Sequence, residues 1–490
     1  MIQVKEVDSS IEKFLKLSKS KNYKLSASGH HLDNLPISIK KGVNQFEYEV
    51  VSPIVKGLQQ DKELQFSPDA IIGLCKGQST IYTFGHAFVS NYVTYGADFA
   101  SKISRGLITK ISSVQDDQEM NDHYLRMILP VDTARPFDIN QFQRKFFKTK
   151  TKREIYFIEV VIAGDTYELF IYKHEKKHYV VIDCKSRTTL KIFQRKAYNL
   201  LLALAVIRGD LIGNESLVLS YKTAKHAKIQ NFLYHSNREN LITNQPVFTS
   251  NPMAFYYNYD FEREKNFDLT KREKEKLYDD IIDFEAKVFS NLATLIHENE
   301  KIQRAAFLLL IGNTATLEVR LPNYYLAIEA IAEHISGPNT DKKLIKDKKI
   351  ASEIKKYIID YLQDLKDKRG LDDEELNLKI LQNKINSIES PPNSSKLSEP
   401  FLTLGFKLLS KKELKDLLGE RNTYLHGNFF ISSDDEKVFQ EAFYIGTRLH
   451  LMVSFLLLKL SGFNGKIVNY AEVWSHITKR EVKEDRLVKI

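Results

Sequence analysis

The residues with the clearest chemical potential lie late in the chain, in Arg421-Asn-Thr-Tyr-Leu-His426-Gly. Leu414, Leu417, Leu418 and Leu425 form an apolar stripe on a helix predicted over 411–426, and an advance of about 100° per residue places Arg421 in the middle of it. Asn422 and His426 share one edge of that stripe, and Gly427 stands where a left-handed C-cap would end the helix. One helix end thus gathers a cation, an amide and an imidazole. An imidazole with an ordinary pKa of about 6.5 takes or gives a proton near neutrality, and a guanidinium stabilises charge on a phosphate through paired hydrogen bonds. The structural alternative is that Arg421 pairs with a carboxylate across the core while His426 complements the negative end of the helix.

Two other clusters imply different chemistry. His174-Glu175-Lys-Lys-His178 has the letters of a zinc-protease motif, which needs a helix to bring both histidines to one face. Strand-like runs end at Tyr172 and resume at Tyr179, so a hairpin turn is predicted there instead. Asp165 opens one predicted strand, and Asp183 and Lys185 close the next. Antiparallel pairing of the two would resemble the carboxylates and lysine of a magnesium-dependent nuclease of the restriction-enzyme type. The departures are the missing proline before the first Asp and the commonness of such residues as solvated strand caps. A basic segment, Arg144, Lys145, Lys148, Lys150, Lys152 and Arg153, interleaves cations with Phe146 and Phe147. It suits RNA through phosphate contacts and base stacking, or equally a surface loop anchored by its phenylalanines.

The elements that position these residues fall into two kinds. Phe46–Val51, Ser79–Phe84, Ile155–Ile162, Thr166–Tyr172 and Tyr179–Asp183 alternate as strands, the last three as an antiparallel meander. Thr189–Arg208 switches to a helical period and is expected to pack on the sheet. After a stretch rich in Asn, Ser and aromatics, helices are predicted over roughly 270–298, 300–312, 322–336, 348–368, 373–388, 411–426 and 434–461. The expected fold class is α+β: a β-rich N-terminal sensor or recognition region over 1–230, a connector over 231–269 and an all-α bundle over 270–490. Within the bundle Tyr324, Ile328, Ile331 and Ile335 form a stripe flanked by Glu329, which either positions Arg421 or faces water. Val438–Leu460 is apolar on nearly all sides and reads as a central or dimer-facing helix, with His450 as a core or rim histidine. Asp341–Lys349 reads as a solvated charge run.

Composition sets the limits. A chain of 490 residues with 43% hydrophobic and 11% aromatic residues, only 20 Gly and 12 Pro, and no repeat excludes disordered, fibrous and solenoid classes. The apolar run Leu449–Leu458 is interrupted by His450 and Ser454, short of the roughly 20 residues a bilayer requires. The mixed charges of Met1–Ser20 predict no signal peptide. Two cysteines without a zinc-ligand pattern fit a reducing cytoplasm. Of the formal net charge of +9, most is N-terminal: residues 1–270 hold 37 Lys and Arg against 29 Asp and Glu, whereas residues 271–490 hold 35 against 34. Such an excess attracts polyanions without specifying a sequence.

The Arg-polar-x3-His spacing of Arg421, Asn422 and His426, within an all-helical part and followed by a long apolar helix, resembles the signature of the HEPN superfamily, many of whose members are ribonucleases. The Arg-Asn start and His-Gly end behind a β-rich region are most similar to the Apea-like HEPN proteins, which are associated with anti-phage defence. The resemblance covers at most Thr270–Leu460, and its sharp part is the run Arg421–Gly427. It implies metal-independent RNA cleavage, with no cofactor, at a composite site between two HEPN domains, usually in a homodimer. The ribose 2′-OH would attack its own 3′-phosphate, with His426 exchanging protons, Arg421 holding the phosphoryl oxygens and Asn422 orienting either of them. Glu329 and Tyr424 would support the site. Transfer RNA is a candidate substrate, and the resemblance leaves room for a phage-derived activator and a toxin-like, abortive-infection role, with no membrane. Because Arg421 and His426 lie about 140° apart on an ideal helix, they converge only through the reach of Arg or across a dimer interface. The competing classes are an inert HEPN regulatory or nucleotide-binding protein and the magnesium-dependent nuclease of Asp165, Asp183 and Lys185.

Overall fold

The computed structural model describes residues 4–19, 21–26, 34–42, 45–54, 71–95, 100–131, 144–147, 153–236, 241, 245–249, 270, 272, 275–276, 284–336, 345, 347–386, 393–425 and 435–490. Helix α1 (Val4–Leu17) opens the chain, with Val7, Ile11, Phe14 and Leu17 buried along one face. Six strands follow, β1 (Lys21–Ser26), β2 (Pro36–Lys41), β3 (Phe46–Ile54), β4 (Ile72–Lys76), β5 (Ser79–Tyr95) and β6 (Ala100–Ser112). They pair in the order β3-β2-β1-β4-β5-β6, and β6 returns to β3 with Phe46 opposite Ile108, so the sheet closes into a barrel. Alternation drives this: Ile37 and Ile39 of β2 and Phe46, Tyr48 and Val50 of β3 are buried, while the residues between them are more open. Gly106 lets the sheet close, since a Cβ there would stand 2.4 Å from the Tyr48 ring.

The barrel continues into an open antiparallel sheet. Its strands are β7 (Tyr124–Val131), β8 (Arg144–Phe147), β9 (Arg153–Ile162), β10 (Asp165–His174), β11 (Lys177–Cys184), β12 (Glu215–Tyr221) and β13 (Ile229–Ser236). From β6 they run in the order β13-β12-β7-β11-β10-β9-β8. The predicted meander is therefore present as β9-β10-β11, although β11 also takes β7 as a neighbour. Residues 231–236, expected in the connector, instead complete β13.

Both sheet faces are covered, so residues 179–182 are buried on alternate sides: Tyr179 and Val181 with α1, Val180 and Ile182 with the helix α2 (Leu190–Arg208). Thr189 caps α2 by accepting from the Ile192 N–H at 3.3 Å, and Gly209 ends it at φ +81°. Helix α2 is buried on nearly every side because α3 (Ala286–Glu298) and α4 (Glu300–Thr314) pack against it, and one apolar core runs from the sheet through α2 into the helical region. Helix α3 also seals β9 beyond the reach of β8: Ser290 Oγ accepts from the Val161 N–H and Thr294 Oγ1 donates to the Val161 carbonyl.

The remaining helices among the described residues are α5 (Leu317–Ser336), α6 (Lys348–Arg369), α7 (Leu378–Asn386), α8 (Asn393–Thr403), α9 (Lys411–Gly419), α10 (Arg421–Leu425), α11 (Glu436–Leu460), α12 (Tyr470–Val473) and α13 (Ser475–Thr478). The predicted helix over 411–426 is thus divided at Glu420, and α5 begins at Leu317 rather than at Pro322. A two-stranded sheet of β14 (Lys466–Val468) and β15 (Leu487–Lys489) ties the C-terminal part to residues 246–247. Architecture of this kind, β-rich then helical, is α+β. Helix α11 is, among the described residues, the one helix long and apolar enough to cross a membrane, and 78% of its most apolar window is buried in the protein.

His450 on α11 sits at that centre, edge-on to Tyr324 and Tyr470, with neither ring nitrogen hydrogen-bonded among the described residues. Burial, reinforced by the charge of Arg320, lowers its pKa to about 3. His226 is likewise lowered, to about 4, by burial, which outweighs the opposing pull of Asp183. Each stays neutral in the folded protein but binds a proton in the unfolded chain below about pH 6.5, so stability should fall as pH drops from there toward 4 and 3. The slope should approach about 1.4 kcal/mol per pH unit for each histidine. Urea denaturation from about pH 8 to about pH 5 checks this: His450→Phe should flatten the profile, and a wild-type profile already flat would refute it.

Candidate active site

Helix α9 begins with a capping box, in which Ser410 Oγ accepts from the Glu413 N–H at 3.2 Å and the Glu413 carboxylate accepts from the Ser410 N–H at 2.8 Å. Leu414 and Leu418 are buried, and the turn at Glu420 leads directly into α10. Helix α5 anchors both pieces. The Tyr325 hydroxyl donates to the Leu417 carbonyl at 2.7 Å, and the Tyr325 ring stacks on Tyr424 with centroids 6.0 Å apart. Burial, followed by the charge of Glu420, pushes the Tyr424 phenol up to about 12, so it stays protonated at neutrality and acts as a packing surface.

One helical turn beyond Tyr325, Glu329 presents its carboxylate to the Arg421 guanidinium as an ion pair, with both side chains about one-fifth exposed (20% and 23%). Of the two readings of Glu329, the structure shows the pairing. Arg421 also donates through Nη1 to Asn422 Oδ1 at 2.9 Å. The guanidinium is therefore fixed from two sides while its edge still reaches solvent. This carboxylate is also the cross-core partner that a purely structural Arg421 would require. His426 and Gly427 lie outside the described residues.

Of the basic segment, Arg144 and Lys145 belong to β8, the far edge of the sheet, and Arg153 begins β9. Lys148, Lys150 and Lys152 lie outside the described residues.

The expectation that Asp165, Asp183 and Lys185 converge is corrected. The register pairs Asp183 with Glu168, and Asp165 lies on the opposite face, where it pairs with Lys196 of α2 at 2.7 Å. On the α1 side, Asp183 is fully buried and holds Arg126 through both oxygens, at 2.6 and 2.7 Å. Lys185 is engaged by Glu168 at 3.0 Å. Side chains alternate across a strand, so residues separated by an even number within one strand share a face, and across this hairpin Asp165 and Asp183 do not. His174 and His178 also part: the hairpin register sets His174 opposite Lys177 and His178 opposite Lys173, with Glu175 in the turn at φ +52°. Among the described residues no group of three His, Cys, Asp or Glu is placed to hold a metal ion.

Comparison with family models, with curated proteins and with solved structures finds no match to this chain, so the arrangement of Arg421, Asn422 and Glu329 is read on its own geometry.

Proposed function

We propose that this chain is a metal-independent endoribonuclease of the HEPN type, cytoplasmic and acting as a toxin-like effector in anti-phage defence. The observation that supports the reading best is the Arg421 guanidinium held between Glu329 and Asn422, five residues before His426 in sequence. A cation fixed in advance loses little freedom when a phosphate arrives, which is what stabilisation of a transition state requires. In this reading His426 removes the ribose 2′-OH proton, and the 2′-oxygen attacks the adjacent phosphorus. Charge on the phosphoryl oxygens is met by Arg421, and the 5′-oxygen leaves as a hydroxyl on taking the proton from the His426 imidazolium, so the products are a cyclic phosphate and a 5′-OH end. In this reading a second copy of the chain completes the site, since residues five apart on an ideal helix stand about 140° around its axis.

The same ion pair favours a second reading, an inert fold in which Glu329 neutralises Arg421 as a structural partner. Incubation of the full chain with total RNA and with transfer RNA, with and without EDTA, separates the two. The expected result is cleavage that survives EDTA and leaves cyclic-phosphate and 5′-hydroxyl ends. Absence of cleavage supports the inert fold, and cleavage abolished by EDTA defeats both.

A further inference from the structure

A cavity of about 700 Å3, lined by none of the residues placed around Arg421, opens between α2 and the sheet, bounded by β6, β7, β12, β13 and the loop after α2. This volume lies within the roughly 300–1,000 Å3 range typical of small-molecule sites. Met127, Leu129 and Leu233 form an apolar floor, and Leu211 and Ile212 close one side.

Several buried polar side chains around the sheet are paired: Arg126 with Asp183, Lys196 with Asp165, Glu215 with Lys41 and Tyr234. In the cavity, the side chains of Gln194, Arg195, Tyr198 and Ser216 have no hydrogen-bond or ion-pair partner among the described residues. Ser216 is only 2% exposed as a residue and lines the cavity. Its strand neighbours Glu215 and Leu217 point to the opposite face of β12, so Ser216 is aimed at α2 and the cavity. Charge at the site has one sign. Lys110 and Arg195 line it and, among the described residues, no carboxylate does, although Asp117 engages Lys110 from outside at 2.7 Å.

We propose that this cavity binds a nucleoside monophosphate, the flat heteroaromatic base lying between the apolar floor and Tyr198, and the phosphate meeting Arg195. An aliphatic anion would satisfy Arg195 but leave the Gln194 amide and the Ser216 hydroxyl unpaired, whereas a nucleobase carries donors and acceptors on its edge. The proposal is independent of the ribonuclease reading, since it uses none of the residues near Arg421.

Isothermal titration calorimetry of the full chain with adenosine monophosphate, guanosine monophosphate and decanoate tests it. The expected result is saturable one-to-one binding of at least one nucleotide and none of decanoate. Arg195→Glu, at an exposed position, should weaken binding about tenfold or more, the scale of one lost charge-assisted hydrogen bond. Ser216→Phe, which fills the cavity, should abolish it, and circular dichroism controls for folding. No saturable binding of either nucleotide, binding of decanoate instead, or affinity unchanged in folded Arg195→Glu would each overturn the assignment.

Discussion

His426→Ala is expected to lower the rate of RNA cleavage by about 100-fold or more while leaving the fold and the oligomeric state unchanged. That magnitude is the lower end of what a positioned proton-transfer group contributes. The measurement is single-turnover cleavage of a defined RNA by wild type and variant, with sedimentation and circular dichroism as controls. Glu329→Gln gives the companion test of a positioning role. It keeps the shape and removes the charge that holds Arg421, so turnover should drop through a loosened guanidinium while the pH profile, set by His426, stays in place. A variant of His426 that retains full activity would remove it from the mechanism. One that unfolds or changes oligomeric state would assign it to the scaffold instead.

The second large effect belongs to the pair Arg126–Asp183. Arg126 is enclosed between the sheet and α1, giving both Nε and Nη2 to the Asp183 carboxylate and Nη1 to Ser10 Oγ at 3.0 Å and the Glu6 carbonyl at 3.2 Å. Burial alone would raise the Asp183 pKa, but the charge of Arg126 and its paired hydrogen bonds outweigh this and hold the carboxyl below its usual range. Removing one partner leaves the other charge buried without compensation, so Asp183→Asn or Arg126→Met should each cost about 3–5 kcal/mol of stability. The double variant Arg126→Met, Asp183→Leu should recover much of that loss, because the desolvation penalty disappears with both charges. Chemical denaturation of the three variants checks this. Single variants within about 1 kcal/mol of wild type would show that the pair contributes little.

Local pattern made much of the fold legible. The alternation of Ile155–Ile162, Thr166–Tyr172 and Tyr179–Asp183 identifies the β9-β10-β11 hairpins, and the turn at Glu175 excludes a zinc helix there. The period of residues 189–208 identifies α2, and the apolar runs after residue 285 identify most of the bundle. Helix α1 carries the same kind of signal, Val7, Ile11 and Phe14 at four- and three-residue spacing, within a segment dense in charged residues. Such patterns are readable because they depend on neighbours within one or two turns.

Residue types and spacing alone thus indicated a β-rich part followed by helices, the β9-β10-β11 meander and α2, and singled out Arg421, Asn422 and His426 as the chemically suggestive group. Tertiary structure decided the partners. Closure of the barrel brings Phe46 beside Ile108, the sheet sends Asp165 to Lys196 and Asp183 to Arg126 on opposite faces, and packing of α5 against α10 sets Glu329 on Arg421. The cavity walls, Arg195 and Ser216 among them, come from segments on either side of the β11–α2 and α2–β12 connections. Periodicity reports that a face is buried; which distant face covers it depends on the summed free energy of packing many segments at once, and no local spacing encodes that.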